Sequence, residues 1–527
     1  MFYTLRFKKT MKLCLGLIIL VLTSFTYVLA DIPCAERRIP NQSVVCVCNT
    51  SYCDDITREI PAPRSFVTYT SSKDGLRFKK DGGTWNDSTS ESCCSATLEV
   101  FPTIKYQRIE GFGGAVTDSA GINWKSLPSL LQDSFIRSYF SANGLEYNML
   151  RVPIGGCDFS THAYAYNELP VNDTQLSNYT LAPEDILYKI PMIKSIMQVA
   201  TAPVHIVATT WSPPLWMKTH QTYGGFSRLK RQYYQTYADY HIKFLEKYNQ
   251  SGIPVWGITT TNEPINGVIS LAPFNSLGWD VKEMGEWILN NLGPTIRNSA
   301  FKDLKILAGD DQRATIPYWF NVMFARYPKA LDYVDGMAVH YYTDSIIPAA
   351  VFDAVTLTHP EKFILATEAC EGSYPWQKHK VLLGSWDRAV TYIEDILEDL
   401  NYNLVGWIDW NLCLNKDGGP NWVGNFVDSP IIVDEDKQEF VKQPMFYAMG
   451  HFSKFIPRES IRIKVVEKKQ LFTRSLRHVA FVTPKNTIVV IVYNNGQART
   501  IRLKNGIKQA SINLAAHSVT TVEFPYE

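Results

Sequence analysis

Two glutamates stand at the ends of short apolar runs: Glu263 in "ITTTNEPING" (258–267) and Glu368 in "KFILATEAC" (362–370). A carboxylate at such a place is costly to bury unless it is paired, protonated or used. Two carboxyls displayed together are what glycoside hydrolysis needs, one as proton donor and one as nucleophile or base. A gap of about 5–5.5 Å gives retention through a covalent glycosyl-enzyme, and a wider gap gives inversion. Asn262 adds an amide able to bond a sugar 2-hydroxyl, and Pro264 ends the strand's ladder. Asp118, Asp158, Asp310, Asp311, Glu371 and Asp409 fall near other strand ends, so residue type alone does not select the pair. Trp211, Trp216, Tyr341, Tyr342, Trp376 and Trp410 lie near the same ends, and aromatic faces suit the C–H faces of a sugar. No Ser-His-Asp grouping, phosphate-cradling glycine loop or HExxH motif occurs, so neither a cofactor nor a metal is expected.

The elements that must position these residues repeat one theme from about residue 106 to 410. Apolar runs end in polar or aromatic residues at 106–118, 147–160, 204–214, 255–264, 304–312, 335–342, 362–370 and 404–412. Stretches with helical spacing, such as 233–248 and 386–400, lie between them. This alternation predicts a (β/α)8 barrel of α/β class, whose catalytic groups sit at the C-terminal ends of strands. The barrel is expected over 106–410 with 446–459. Short β runs at 461–466, 478–483, 487–496 and 518–524 predict an all-β sandwich over 460–527, with strands contributed by 59–105. Residues 31–58 with 411–445 are expected to form a small antiparallel β-unit.

Composition sets the compartment. With 46% hydrophobic and 20% charged residues the chain is globular rather than disordered. A net charge of +1 gives no sign of a nucleic-acid partner. Lys8, Lys9 and Lys12 before "LCLGLIILVL" (13–22), with "VLA" before Asp31, read as a secretory signal over 1–30, cleaved at about Ala30. Cys34, Cys46, Cys48 and Cys53 crowd the mature N-terminus, consistent with two disulfides in any of three pairings. Loss of Cys14 with the signal leaves an odd number of cysteines, so at least one is unpaired or intermolecular. Sequons at Asn41, Asn49, Asn86, Asn172, Asn178 and Asn249 fit secretory passage and glycosylation.

Longer motifs then carry a resemblance. "VVCVCNTSYCD" (44–54), "GFGGAVTDSA" (111–120), "RVPIGGCDFS" (151–160), "DDQR" (310–313), "LGSWDR" (383–388), "GGPNWVGNFVDSPIIVD" (418–434) and "KQPMFYAMGHFSKFIP" (442–457) resemble the glucosylceramide-cleaving branch of glycoside hydrolase family 30 across nearly all of the mature chain. The resemblance implies a retaining exo-β-glucosidase that releases glucose and ceramide in the lysosome. By it Glu263 matches the acid/base and Glu368 the nucleophile. Asp158, Trp211, Asn262, Trp410 and Asn425 match positions that hold the glucose hydroxyls, and Arg151 a supporting arginine. It pairs Cys34 with Cys46 and Cys48 with Cys53. Cys370 matches a family cysteine, although as a residue it reads as a buried, unreactive thiol.

The resemblance also implies partners: glucosylceramide in acidic-lipid membranes and an activator protein of saposin type. Ile346, Ile347, Tyr374, Pro375 and Trp376 are apolar loop residues that could meet either. The sequence departs from the pattern at Tyr341, where a tryptophan is expected near the substrate, and at Ala272, where a tyrosine is. Another β-glucoside, such as a steryl glucoside, stays open as substrate. A non-catalytic glycolipid-binding protein is the alternative of another class, and the presence of both glutamates weighs against it.

Overall fold

The eight apolar runs become eight parallel strands. In the computed structural model, which describes residues 31–86, 94–269, 272–469 and 475–526, these are β1 (Gly111–Ala115), β2 (Met149–Ile154), β3 (His205–Thr210), β4 (Gly257–Thr259), β5 (Lys305–Gln312), β6 (Gly336–His340), β7 (Phe363–Glu368) and β8 (Gly406–Asn411). Each pairs with the next, and β8 pairs with β1, closing the barrel. The expected signal segment, 1–30, lies outside the described residues.

Pleating explains how one barrel holds both a dry core and a charged site. Met149, Val207, Leu307, Ala338, Leu365 and Ile408, one from each of six strands, pack together as an apolar cluster. Residues two apart share a face of a strand. The next positions on that face are therefore Arg151, Thr209, His340, Thr367 and Trp410, all buried, at the C-terminal half. The interior thus changes from apolar to polar within one pleat repeat.

The surrounding helices follow their sequence pattern. Tyr234–Gln250 buries Tyr237, Tyr240, His241, Phe244, Leu245 and Tyr248, the spacing of a single helical face. Trp386–Asn401 buries Ala389, Tyr392, Ile393, Ile396, Leu397 and Leu400, and Ser385 caps it by accepting from the Arg388 N–H.

Two further sheets complete the molecule. A small five-stranded sheet runs in the order Glu36–Arg38, Val44–Asn49, Glu439–Lys442, Ile431–Asp434, Leu414–Asn415. It carries the disulfides Cys34–Cys46 and Cys48–Cys53. A nine-stranded antiparallel-rich sheet takes Ser65–Ser72, Lys79–Thr84 and Ala96–Arg108 from before the barrel and six strands from Ile461 onward. Its face is a separate core that includes Leu98, Ile488, Val490, Leu503, Ile512 and Phe524. Two of its strands, Arg499–Asn505 and Lys508–Leu514, were not anticipated. Their signal was present as Asn505-Gly506, a tight-turn dipeptide between alternating runs. Cys157, Cys370 and Cys413 are free and buried, and all six sequon asparagines are exposed.

The barrel seam at β1 allows no side chain at Gly113, where a Cβ would lie 1.9 Å from the Met149 carbonyl oxygen. Gly113→Ala should separate β1 from β2 and cost about 2 kcal/mol or more, read as a lowered urea midpoint. An unchanged midpoint would contradict this packing.

Candidate active site

β4 is three residues long, and buried Thr260, Thr261 and Asn262 carry the chain from it to Glu263. Glu263 has φ +41° and Asp310, within a bulge of β5, has φ +57°. Left-handed backbone at such residues costs roughly 1–3 kcal/mol each and persists where surroundings impose it. Here the two positions hold each other, because the Glu263 N–H donates to the Asp310 carbonyl at 2.9 Å.

Arg151 on β2 is the hub of the site and has no exposed surface. It donates to Glu368 through Nη1, and through Nη2 to Asn262 Oδ1 (2.7 Å) and Asp310 Oδ2 (2.9 Å). Its guanidinium lies 4.8 Å from the Trp211 ring centroid and 5.3 Å from that of Trp410. Burial alone would lower the guanidinium's pKa, but Asp310 and Glu368 outweigh it and the net shift is upward. Burial likewise opposes charge on Asp310, yet Arg151 and His340 hold its pKa well below the usual range.

His340 bridges Asp310 and Glu263, with Nε2 3.2 Å from Asp310 Oδ1 and Nδ1 3.0 Å from Glu263 Oε1. Burial pulls its pKa down, but Glu368, Asp310 and Glu263 push it up to about 10, so both ring nitrogens carry protons at acid and neutral pH. His340, Glu263 and Glu368 bring ligand-type atoms within 4.8 Å of one another, but an imidazolium has no lone pair for a cation. Gln312 Nε2 (2.8 Å) and Asn266 Nδ2 (2.5 Å) also donate to Glu263. Tyr342 donates its hydroxyl to Glu368 Oε1 at 2.8 Å and lies 3.2 Å from the Cys370 sulfur. Burial pushes the Cys370 thiol well up, which suits an unreactive residue.

Above this floor is a pocket of about 200 Å³, lined by Asp158, Phe159, Trp211, Asn262, Glu263, Phe274, Tyr342, Glu368, Tyr374, Trp410 and Asn425, among others. That is smaller than the roughly 300–1,000 Å³ that drug-sized ligands occupy, and suits one sugar ring. Trp211 and Trp410 stack with centroids 5.3 Å apart. Asp158 accepts from Asn425 (3.0 Å) and Asn421 (3.1 Å). Burial pushes its carboxyl up to about 7, against the Asn425 bond. Asp311, whose Oδ2 takes the Ile265 N–H, is pushed up to about 7 by burial and then by Glu263.

The structure brings Glu263, Glu368, Asp158, Trp211, Asn262, Trp410 and Asn425 to one pocket and places Arg151 beneath it. Tyr341 is not among the lining residues; its hydroxyl donates to Glu371 at 2.7 Å, and neighbouring Tyr342 faces the pocket instead. Ala272 is buried, with its carbonyl accepting from the Gly225 N–H. Sequence reasoning missed His340, Gln312, Asn266 and Asn421. His340 alone had a visible signal, as the polar end of the run "GMAVH" (336–340).

A closed (β/α)8 barrel with two adjacent carboxyls under aromatic walls defines a glycoside hydrolase site. The chain belongs to glycosyl hydrolase family 30: residues 109–456 match that family's TIM-barrel domain and residues 459–522 its beta sandwich domain. It is 42% identical over 468 residues to the lysosomal acid glucosylceramidase of Mus musculus, covering 88% of this chain and 89% of that one. Among solved structures it is similar to SrfJ from Salmonella typhimurium, with a TM-score of 0.79, 26% identity, and 88% of this chain and 100% of that one covered. The endo-beta1,6-glucanase BT3312 shares the fold, with a TM-score of 0.75 at 24% identity over 87% of this chain and 99% of that one.

Two outcomes follow for this floor. Arg151→Lys keeps charge but loses the fork that reaches three acceptors at once, and kcat should fall about 100-fold or more in steady-state assays of the folded variant. Burial raises the Asp158 carboxyl above the ordinary carboxylate range, to about 7. Its contribution to stability is therefore fully present below about 4 and lost as pH rises through 7. Asp158→Asn cannot ionise, so its urea midpoint, relative to that of the native protein, should rise between pH 4 and pH 8.

Proposed function

We propose that this chain is a retaining β-glucosidase that hydrolyses β-glucosylceramide to glucose and ceramide. The observation that carries this reading is the closeness of the Glu263 and Glu368 oxygens, within 4.8 Å, under a pocket sized for one sugar ring. Such closeness lies on the side that retention uses; inversion needs roughly 6.5–9.5 Å between the carboxyls. The similarity to a mouse enzyme named for glucosylceramide supports the choice of aglycone.

In the proposed reaction glucose lies against Trp211 and Trp410, with its hydroxyls bonded by Asp158, Asn262 and Asn425. Glu368, aimed by Arg151 and Tyr342, attacks the anomeric carbon while Glu263 protonates the departing ceramide oxygen. Water then enters, Glu263 takes its proton, and glucose leaves with its β configuration. Two buried cations, Arg151 and His340, lie among the carboxyls of the floor, Arg151 against Asp310 and Glu368 and His340 against Asp310 and Glu263.

The ceramide tails stay outside the pocket. Ile346 and Trp376, 75% and 72% exposed, lie on the loops after β6 and β7 and are offered to an acidic-lipid bilayer or an activator of saposin type. No helix among the described residues is long and apolar enough to cross a membrane, which is compatible with peripheral attachment at the inner lysosomal membrane. The exposed sequons at Asn41, Asn49, Asn86, Asn172, Asn178 and Asn249 are proposed glycan sites on the secretory route.

Proton NMR of the first turnovers on glucosylceramide should show β-glucose appearing before mutarotation. Glu368→Ala should abolish turnover. Glu263→Ala, given an activated nitrophenyl β-glucoside whose leaving group departs without a proton, should form β-glucosyl azide with added azide, because this anion needs no general base at the glycosyl-enzyme. Initial α-glucose, or a Glu368→Ala enzyme of native activity, would sink the assignment.

A further inference from the structure

Lys218 takes no part in the chemistry above, yet its side chain has no exposed surface. Its ammonium donates to Ser212 Oγ (3.0 Å), the Tyr223 carbonyl (2.9 Å) and the Ser276 carbonyl (2.8 Å). Three N–H donors meet three acceptors, and all three acceptors are neutral. Burial pushes the ammonium down to about 7, with Glu168 opposing. Replacing a buried ion by an apolar residue of similar volume is often neutral or stabilising. What methionine could not reproduce here is the three directed bonds.

Those bonds join the loops that build one side of the pocket. Ser212 directly follows Trp211 at the tip of β3, and Ser276 lies two residues after Phe274, another wall residue. The Tyr223 carbonyl also accepts from the Ser276 N–H at 3.0 Å, so the lysine closes a ring of contacts between the β3 and β4 loops. Asn275, between Phe274 and Ser276, donates to the Gly156 carbonyl at 3.3 Å, which extends the brace to the β2 loop two residues before Asp158. The Tyr223 hydroxyl reaches Glu168 in that loop, and Glu168 in turn accepts the Leu215 N–H at 3.1 Å.

We propose that Lys218 is a positioning residue that sets affinity for the glucosyl unit by bracing the loops that hold Trp211, Phe274 and Asp158 around it. The inference rests on the glucosidase reading. The braced residues contact the sugar in ground and transition states alike, so loosening them raises KM and leaves kcat nearly unchanged.

The test is steady-state hydrolysis of a soluble aryl β-glucoside by the full chain, with competitive inhibition by glucose and a thermal midpoint for each protein. Lys218→Met should raise KM and the glucose inhibition constant about tenfold, with kcat within about twofold. Ser212→Ala removes one acceptor, leaves the lysine in place, and should raise KM about threefold. It carries the test if Lys218→Met does not fold. A folded variant with native KM and inhibition constant, changed only in thermal midpoint, would overturn the proposal and leave Lys218 a stabilising residue. Failure of the unmodified chain to cleave the aryl glucoside would overturn the glucosidase reading, and this inference with it.

Discussion

A single buried guanidinium organises the active end of this barrel. Arg151 has no contact with solvent, so its charge must be answered by protein, and it is answered by Glu368, Asp310 and the Asn262 amide. A planar fork directs its donors to fixed points, which a flexible ammonium does not. Glu368 and Asn262 therefore take up set positions relative to β2. Trp211 and Trp410 lie close to the same guanidinium, shielding the ion from water and lining the pocket with aromatic surface. Catalytic geometry and charge burial are here one problem with one solution.

His340 extends the network to the second glutamate. Its two protonated nitrogens link Asp310, already anchored on Arg151, to Glu263. The strained backbone at Glu263 and Asp310 lies where these links converge. The hydrogen-bonded network over-determines both residues, and the apolar half of the barrel beneath is packed by aliphatic side chains that leave the strands little freedom. Rigidity from the core is thus transmitted to groups that would otherwise relax.

The small disulfide-bearing sheet acts on the site as well as on stability. After β8 the chain enters that sheet at Leu414–Asn415, makes the excursion carrying Asn421 and Asn425, and returns at Ile431–Asp434. Glu439–Lys442 then pairs with the cysteine-bearing strand Val44–Asn49. Asn421 and Asn425, the amide partners of Asp158, are therefore held by a loop whose two ends are fixed in one sheet. The nine-stranded sheet has its own core, and none of its described residues lines the pocket.

The amino-acid order alone determined the eight strand–helix repeats, the β-rich C-terminal part and the placing of Glu263 and Glu368 at strand ends, because periodicity and local turn chemistry report burial directly. Residue type at strand ends also offered Asn262, Asp158, Trp211 and Trp410, among others; resemblance singled these out and added Arg151 and Asn425. Other features were decided only by tertiary structure. Tyr341 and Tyr342 are neighbours in the chain; Tyr342 continues the alternation of Ala338 and His340, and closure of the barrel decides that this parity of β6 faces inward. Asn266, Gln312 and Asn421 are ordinary loop and strand-end polar residues until the barrel closes and sets them against a carboxyl. The separation of Glu263 from Glu368 belongs to no segment at all. It is fixed by how β4 and β7 are carried around the closed ring and by the shared grip of Arg151 and His340, contacts between residues far apart in the chain that local sequence pattern does not encode.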